Sequence, residues 1–159
     1  MSDPVTPSQT IEVRDSCLCL HAQRAARALA RRFDRAFKPF NLTNGQFSLM
    51  MGLNRPEPPT LGAVAHLLAM DRTTLTAALK PLERRGLVQS HPDAQDRRAR
   101  RLSLTDAGRD LLAQAYPVWC EEHAAISWNL SEVDRLRADL LQLGQLPADP
   151  ATTSAEPAD

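Results

Sequence analysis

Apolar residues recur at spacings of three and four along Leu18, Ala22, Ala25, Ala26, Leu29, Phe33 and Phe37. That period predicts an amphipathic helix ending near Lys38-Pro39. The preceding residues, 1–13, lack such a pattern and are expected to form a loose arm. Thr43-Asn44-Gly45-Gln46 reads as a capping box, with Thr43 as N-cap and Gln46 three residues on. It opens a second helix carrying Phe47, Met50, Met51 and Leu53. Pro56, Pro58 and Pro59 follow and make a stiff connection, because each fixes φ and lacks an N–H.

Two short helices come next. Thr60 is placed to cap "TLGAVAHLLA", and Asp71 to cap "RTTLTAALKPLERRG", which Gly86 closes. In the second, Leu75, Leu79 and Leu82 form the apolar stripe, while Arg72, Thr73, Thr76 and Lys80 fall largely on the other faces. Pro81 is expected to remove one backbone bond and to bend the last turn. "LVQSH" and "RRLSL" are short alternating runs flanking the turn-forming "PDAQDRRA", which predicts a hairpin with a long tip. Helix, turn, helix, hairpin is the plan of a winged helix-turn-helix, mostly α with a small β-wing. Thr105 then caps a long helix with Pro117 as an expected kink, and Ser131 a final one rich in leucine. The tail after residue 146 has a disordered composition.

The chain's 159 residues carry 19 basic and 19 acidic side chains, yet the charge is segregated. Residues 14–38 hold seven basic against two acidic side chains, and residues 71–101 eight against four. Residues 121–159 hold two basic against eight acidic. A neutral chain with basic segments can still bind a polyanion; for residues 14–38 a solvated helix face is the alternative. The densest point is "DRRARR", four arginines within residues 96–101. No apolar run approaches the roughly 20 residues that span a bilayer, and the first residues do not resemble a secretory signal. Three irregularly spaced cysteines form no disulfide framework. A soluble, cytoplasmic protein without membrane association is expected.

"DRRARRLSLTDAG" fits without a gap the wing signature Asp-x-Arg-x-x-x-Leu-x-Leu-Thr-x-x-Gly of the MarR family of bacterial transcriptional regulators. Asp96, Arg98, Leu102, Leu104, Thr105 and Gly108 take its fixed positions, and "MDRTTLTAALKPLERRGLV" resembles the family's recognition helix and following strand. The resemblance runs from about residue 17 to residue 143. It implies a homodimer formed by terminal helices, a double-stranded, pseudo-palindromic DNA operator, and release by a small organic effector. The corresponding segments are an arm (1–13), an N-terminal dimerisation helix (14–40), the winged helix-turn-helix (41–104), C-terminal dimerisation helices (105–146) and the tail (147–159).

Physical chemistry assigns roles within this frame. Arg72, Thr73, Thr74 and Thr76, at the start of the recognition helix, are suited to base edges in the major groove. Lys80 and Arg84 are better placed for phosphates, and Thr60 joins the DNA-facing set. An arginine at the wing tip can enter the narrow, electronegative minor groove. The resemblance makes Arg98 that residue and gives Asp96 the task of holding the loop through an arginine; Arg97 and Arg100 are left for phosphates. Turn formation and helix-surface polarity are the plain alternatives for Asp96 and the threonines. His21, Arg24, Trp119, His123 and Trp128 lie in the segments that would line an effector cleft, Arg24 offering a carboxylate partner; core packing is the alternative.

Cys19 stands where the organic-hydroperoxide-sensing branch of the family keeps its reactive cysteine, and Cys120 resembles the second cysteine of some of those sensors. Gln23, Phe33 and Asn44 replace that branch's tyrosines, leaving two readings: an inert core cysteine and an oxidant-sensing thiol. On one helix Cys17 and Cys19 would point about 200° apart and could not chelate one ion. Cys17 with His21 gives only two ligands, and His66, His91 and His123 are scattered, so neither metal nor cofactor is expected. The chain carries no Gly-rich phosphate loop, nucleophile motif or framed carboxylate pair, which argues against an enzyme. A winged-helix protein adaptor is disfavoured by the polar, basic recognition helix.

Overall fold

The computed structural model describes residues 4–96 and 99–146. The elements are α1 (Pro7–Ser16), α2 (Leu18–Ala36), a 3-10 turn (Lys38–Phe40), α3 (Asn44–Leu53), α4 (Leu61–Leu67), α5 (Arg72–Arg84), β1 (Val88–Pro92), β2 (Arg100–Leu104), α6 (Asp106–Trp128) and α7 (Val133–Gly144). Contacts divide the chain into a unit ending at Glu122 and a second beginning at His123. Among the described residues no helix is long and apolar enough to cross a membrane.

The caps explain where most helices begin. Thr43 accepts from the N–H of Gln46 at 3.2 Å while the Gln46 side chain accepts from the N–H of Thr43 at 3.0 Å. Thr60 accepts from Ala63 N at 3.2 Å and Asp71 from Thr74 N at 2.8 Å. Each satisfies an N–H that the first turn leaves without an intrahelical partner. Gly86 takes a left-handed φ of 67° after α5, as a helix-ending glycine should. Helix α5 runs through Pro81 to Arg84, and α6 through Pro117.

Two expectations fail. The arm contains helix α1, opened by a capping box in which Thr6 and Gln9 bond reciprocally, with Pro7 in the first turn. No residue of α1 is buried. Ser131 does not cap α7: the helix starts after Glu132, which makes no side-chain capping bond.

The core lies in the first unit. Phe37, Leu49, Met50, Val64, Leu75, Leu82 and Leu102 are fully buried. Phe37 joins the end of α2 to α3 by stacking on Phe47, with ring centroids 4.5 Å apart. Burial of each such side chain contributes about 1.5–3 kcal/mol. The upper part of α2 is different: Leu18 and Leu29 stay exposed. In the second unit Leu136, Leu140, Leu141 and Leu143 of α7 are exposed as well.

Candidate nucleic-acid interface

Helix α4, a tight turn and α5 form the helix-turn-helix. The turn uses Ala69 at a left-handed φ of 50°, with Met70 N bonded to Ala65 O at 2.9 Å. Leu75, Leu79 and Leu82 seat α5 on the core. Arg72, Thr73, Thr74, Thr76, Lys80 and Arg84 are thereby left exposed. Two of the threonine hydroxyls have local partners: Thr74 Oγ1 donates to the Asp71 carboxylate at 2.6 Å, and Thr76 Oγ1 to Arg72 O at 2.7 Å. Their lone pairs and methyl groups remain for a base edge, whereas Thr73 has no such local commitment among the hydrogen bonds described. The Arg72 guanidinium lies against Gly62 at the start of α4. The Thr74 hydroxyl and then its backbone N–H hold the Asp71 carboxyl below the usual carboxylate range.

Arg85, just past α5, carries no local signal of a role in the sequence. Its guanidinium donates to Asn41 O at 2.6 Å and to Phe40 O at 3.2 Å. The end of α5 is thereby tied to the turn that joins α2 and α3.

Strands β1 and β2 pair antiparallel, from Val88 opposite Leu104 to Pro92 opposite Arg100. Thr60 adds an isolated antiparallel bridge to Arg101, so the predicted cap of α4 also touches the wing. Arg97 and Arg98, the expected wing-tip contacts, lie outside the described residues. Arg100 turns along the strand pair, donating to Ser90 Oγ at 2.5 Å and to Ser90 O at 3.1 Å.

Asp93, one residue of the turn-forming "PDAQDRRA", holds the wing turn. Its Oδ1 accepts the N–H groups of Gln95 at 2.7 Å and Asp96 at 3.0 Å, and its Oδ2 pairs with Arg101 Nε. Those backbone bonds, from Asp96 and then Gln95, together with the Arg101 guanidinium, keep its carboxyl below the usual carboxylate range. Asp96 contributes its backbone to the same turn, its carbonyl accepting from Ala99 N at 2.9 Å. A signal was present: an aspartate after a proline that can bond two and three residues ahead is an Asx-turn former.

A cavity of about 380 Å³ opens beside the helix-turn-helix, between α3, α4 and α6. Phe47, Met51, Leu67, Tyr116 and Trp119 supply apolar wall and Arg55 a cation. Tyr116 and Trp119 stack with centroids 5.9 Å apart, and the Cys120 thiol beside Tyr116 raises the phenol's pKa. Of the five expected effector residues, only Trp119 lines this cavity. His21 and Arg24 sit on exposed turns of α2. His123 and Trp128 belong to the second unit, where Trp128 is 90% exposed; burial and then the charge of Arg137 hold the His123 imidazole below its ordinary pKa.

Cys17 is the N-cap of α2 rather than a residue within it, accepting from Leu20 N at 3.4 Å. Cys19 is exposed, not buried in a core, and accepts from Gln23 Nε2 at 3.0 Å. All three cysteines are free. Among the described residues no three His, Cys, Asp or Glu side chains gather as a metal site.

A helix-turn-helix with an exposed polar and basic second helix, backed by an antiparallel hairpin, defines a winged helix of the DNA-binding kind. The chain belongs to the MarR family of DNA-binding transcriptional regulators, whose members are transcription factors rather than enzymes. The family's profile matches residues 42–99. The transcriptional regulator MosR of M. tuberculosis, solved in complex with DNA, is 37% identical, with a TM-score of 0.76 over 82% of this chain and 95% of the MosR chain. The transcriptional regulator YybA of Bacillus subtilis is 31% identical over 93 residues, 58% of this chain. TtmR of Methylorubrum extorquens is 34% identical over 97 residues, 61% of this chain. The chain spans 59% and 50% of the length of these last two relatives.

Proposed function

We propose that this protein is a homodimeric repressor that binds a pseudo-palindromic DNA operator and is released by a small organic acid. The observation that carries the DNA reading is the exposed face of α5, where Arg72, Thr73, Thr76, Lys80 and Arg84 stand opposite the buried leucine stripe. Such a face enters a major groove with its N-terminal residues on base edges and its later cations on phosphates. Arg98 then meets the flanking minor groove, with Arg97 left for a phosphate. That a 37% identical relative, MosR, was solved on DNA supports this reading.

Dimerisation is supported by apolar surface that one chain leaves uncovered: Ile11 and Val13 of α1, Leu18 and Leu29 of α2, and Leu136, Leu140, Leu141 and Leu143 of α7. Soluble monomers rarely expose apolar surface on this scale. A two-fold pair presents its recognition helices about one DNA turn, roughly 34 Å, apart.

For the effector, the cavity beside α4 has the volume of a small-molecule site. Its aromatic and aliphatic walls and the Arg55 guanidinium suit an aromatic carboxylate. Leu67 and Leu68 on its wall belong to the end of α4, so an occupant bears directly on the helix that precedes the recognition helix. A thiol-sensing alternative rests on the exposure of Cys19, with Cys120 as its candidate partner.

Selection of bound genomic fragments tests the reading, followed by release assays with aromatic acids and with peroxide. Recovery of a palindromic site released by aromatic acids is expected. Failure to enrich any fragment at low salt contradicts it. Peroxide release that disappears in Cys19→Ser would favour the thiol alternative.

A further inference from the structure

Among the described residues Asp93 is the one charged side chain that is buried, at 6% exposure. A buried carboxylate is costly unless its oxygens are occupied. Here they are, and the partners come from separate pieces of chain. Oδ1 holds the wing turn through the N–H groups of Gln95 and Asp96, and Oδ2 pairs with Arg101 Nε on β2. The other arm of the same guanidinium, Nη1, donates at 2.8 Å to the carbonyl of Pro58, 43 residues away. Leu102 N bonds Pro59 O at 2.9 Å beside it, and Thr60, the N-cap of α4, bridges to Arg101. One guanidinium therefore ties the wing turn to the proline-stiffened segment from which the helix-turn-helix starts.

We infer that Asp93 and Arg101 are positioning residues that set the angle between wing and helix-turn-helix, and so decide whether the wing reaches the minor groove while α5 occupies the major groove. The inference rests on the DNA-binding reading above. It divides "DRRARR" by task. Arg101 is a strut, and Arg100 is laid along β1 by its two bonds to Ser90. The lock is chemically specific. In Asp93→Asn the amide carries no charge, and only one of its two heads can accept, so the turn and Arg101 compete for a single oxygen. Arg101→Lys keeps the charge but loses the planar fork that reaches Asp93 and Pro58 at once. Because its partners hold the Asp93 carboxyl below its usual range, the lock stays ionised near neutral pH and acts as a fixed brace.

The test is hydroxyl-radical footprinting and equilibrium binding of the full chain on a duplex that the unaltered protein selects, with Asp93→Asn, Arg101→Lys and the double variant. The expected result for each variant is about tenfold weaker binding, the scale of one lost charge-assisted contact. Protection of the flanking minor grooves should be lost and that of the central major grooves kept. The double variant should be no worse than the worse single one. Retained flanking protection in Asp93→Asn, loss of both regions together, or additive effects of the two changes overturns the inference. No binding by the unaltered protein to any duplex refutes the DNA-binding reading itself, a separable failure.

Discussion

The carbonyl oxygen of Leu87 lies where a β-carbon on Gly108 would have to stand. That oxygen also accepts from Thr105 N at 3.1 Å, and Thr105 Oγ1 in turn donates to Gly86 O at 2.6 Å and accepts from Gly108 N at 3.0 Å. The end of α5, the start of β1 and the first turn of α6 therefore meet without room for any side chain at position 108. Gly108→Ala is predicted to destabilise the fold by about 2 kcal/mol or more, the scale of forced overpacking. Denaturant unfolding measures it, and an unchanged midpoint would show that α6 can move away without cost.

Arg85 makes a second tie at the same end of α5, toward the turn between α2 and α3. Removing its two bonds to Phe40 O and Asn41 O in Arg85→Ala is predicted to cost about 1 kcal/mol, the net worth of exposed hydrogen bonds. Arg85→Lys, which cannot reach both carbonyls in one plane, should recover only part of it. Full recovery with lysine would mean that charge alone matters there.

Much of this framework is visible in the sequence because it is local. The capping bonds of Thr43, Thr60, Asp71 and Thr105 span only three residues, and these residues and Gly86 each stand at a helix boundary as spacing predicts. The same grammar stands at Thr6-Pro7-Ser8-Gln9, but no apolar period accompanies it and none of the residues of α1 is buried. At Ser131 the local signal misleads, since the chain enters α7 one residue later through Glu132. The Arg101–Pro58 tie, the Arg85 tie and the cavity are not legible in the sequence for a common reason. Their partners lie far along the chain: Arg101 reaches Pro58, Arg85 reaches Asn41 across 44 residues, and Arg55 shares a cavity with Tyr116 and Trp119. Charge alone does not tell the arginines of "DRRARR" apart, whereas the fold makes Arg101 a strut and lays Arg100 along β1.

Protonation supplies a further prediction. The Thr74 hydroxyl and N–H depress the folded-state pKa of Asp71, so its stabilisation of α5 is present above the ordinary carboxylate range and is lost as pH falls through the folded value. Asp71→Ala should melt below the unaltered protein at pH 7, and the gap should narrow as the buffer is taken to strongly acidic pH. A gap independent of pH would show that the ionised carboxylate is not the capping species.

Ligand recognition at the cavity separates charge from shape. With Trp128→Phe as background, quenching of Trp119 fluorescence reports occupancy. A hydroxybenzoate is predicted to bind at least about tenfold more weakly to Arg55→Ala, the worth of a charge-assisted contact, while its neutral amide analogue loses little. Equal losses for both compounds would remove Arg55 as the carboxylate partner.

The central claim, that two copies of this winged helix grip one duplex through recognition helices and wings, is tested most directly by equilibrium binding to the selected operator as a function of salt, with stoichiometry measured in the same titration. The account predicts two chains per duplex and a linear fall of log K with log salt at about 0.9 per phosphate contacted, with a shallower slope for Lys80→Ala. One chain per duplex, or affinity indifferent to salt, would contradict it.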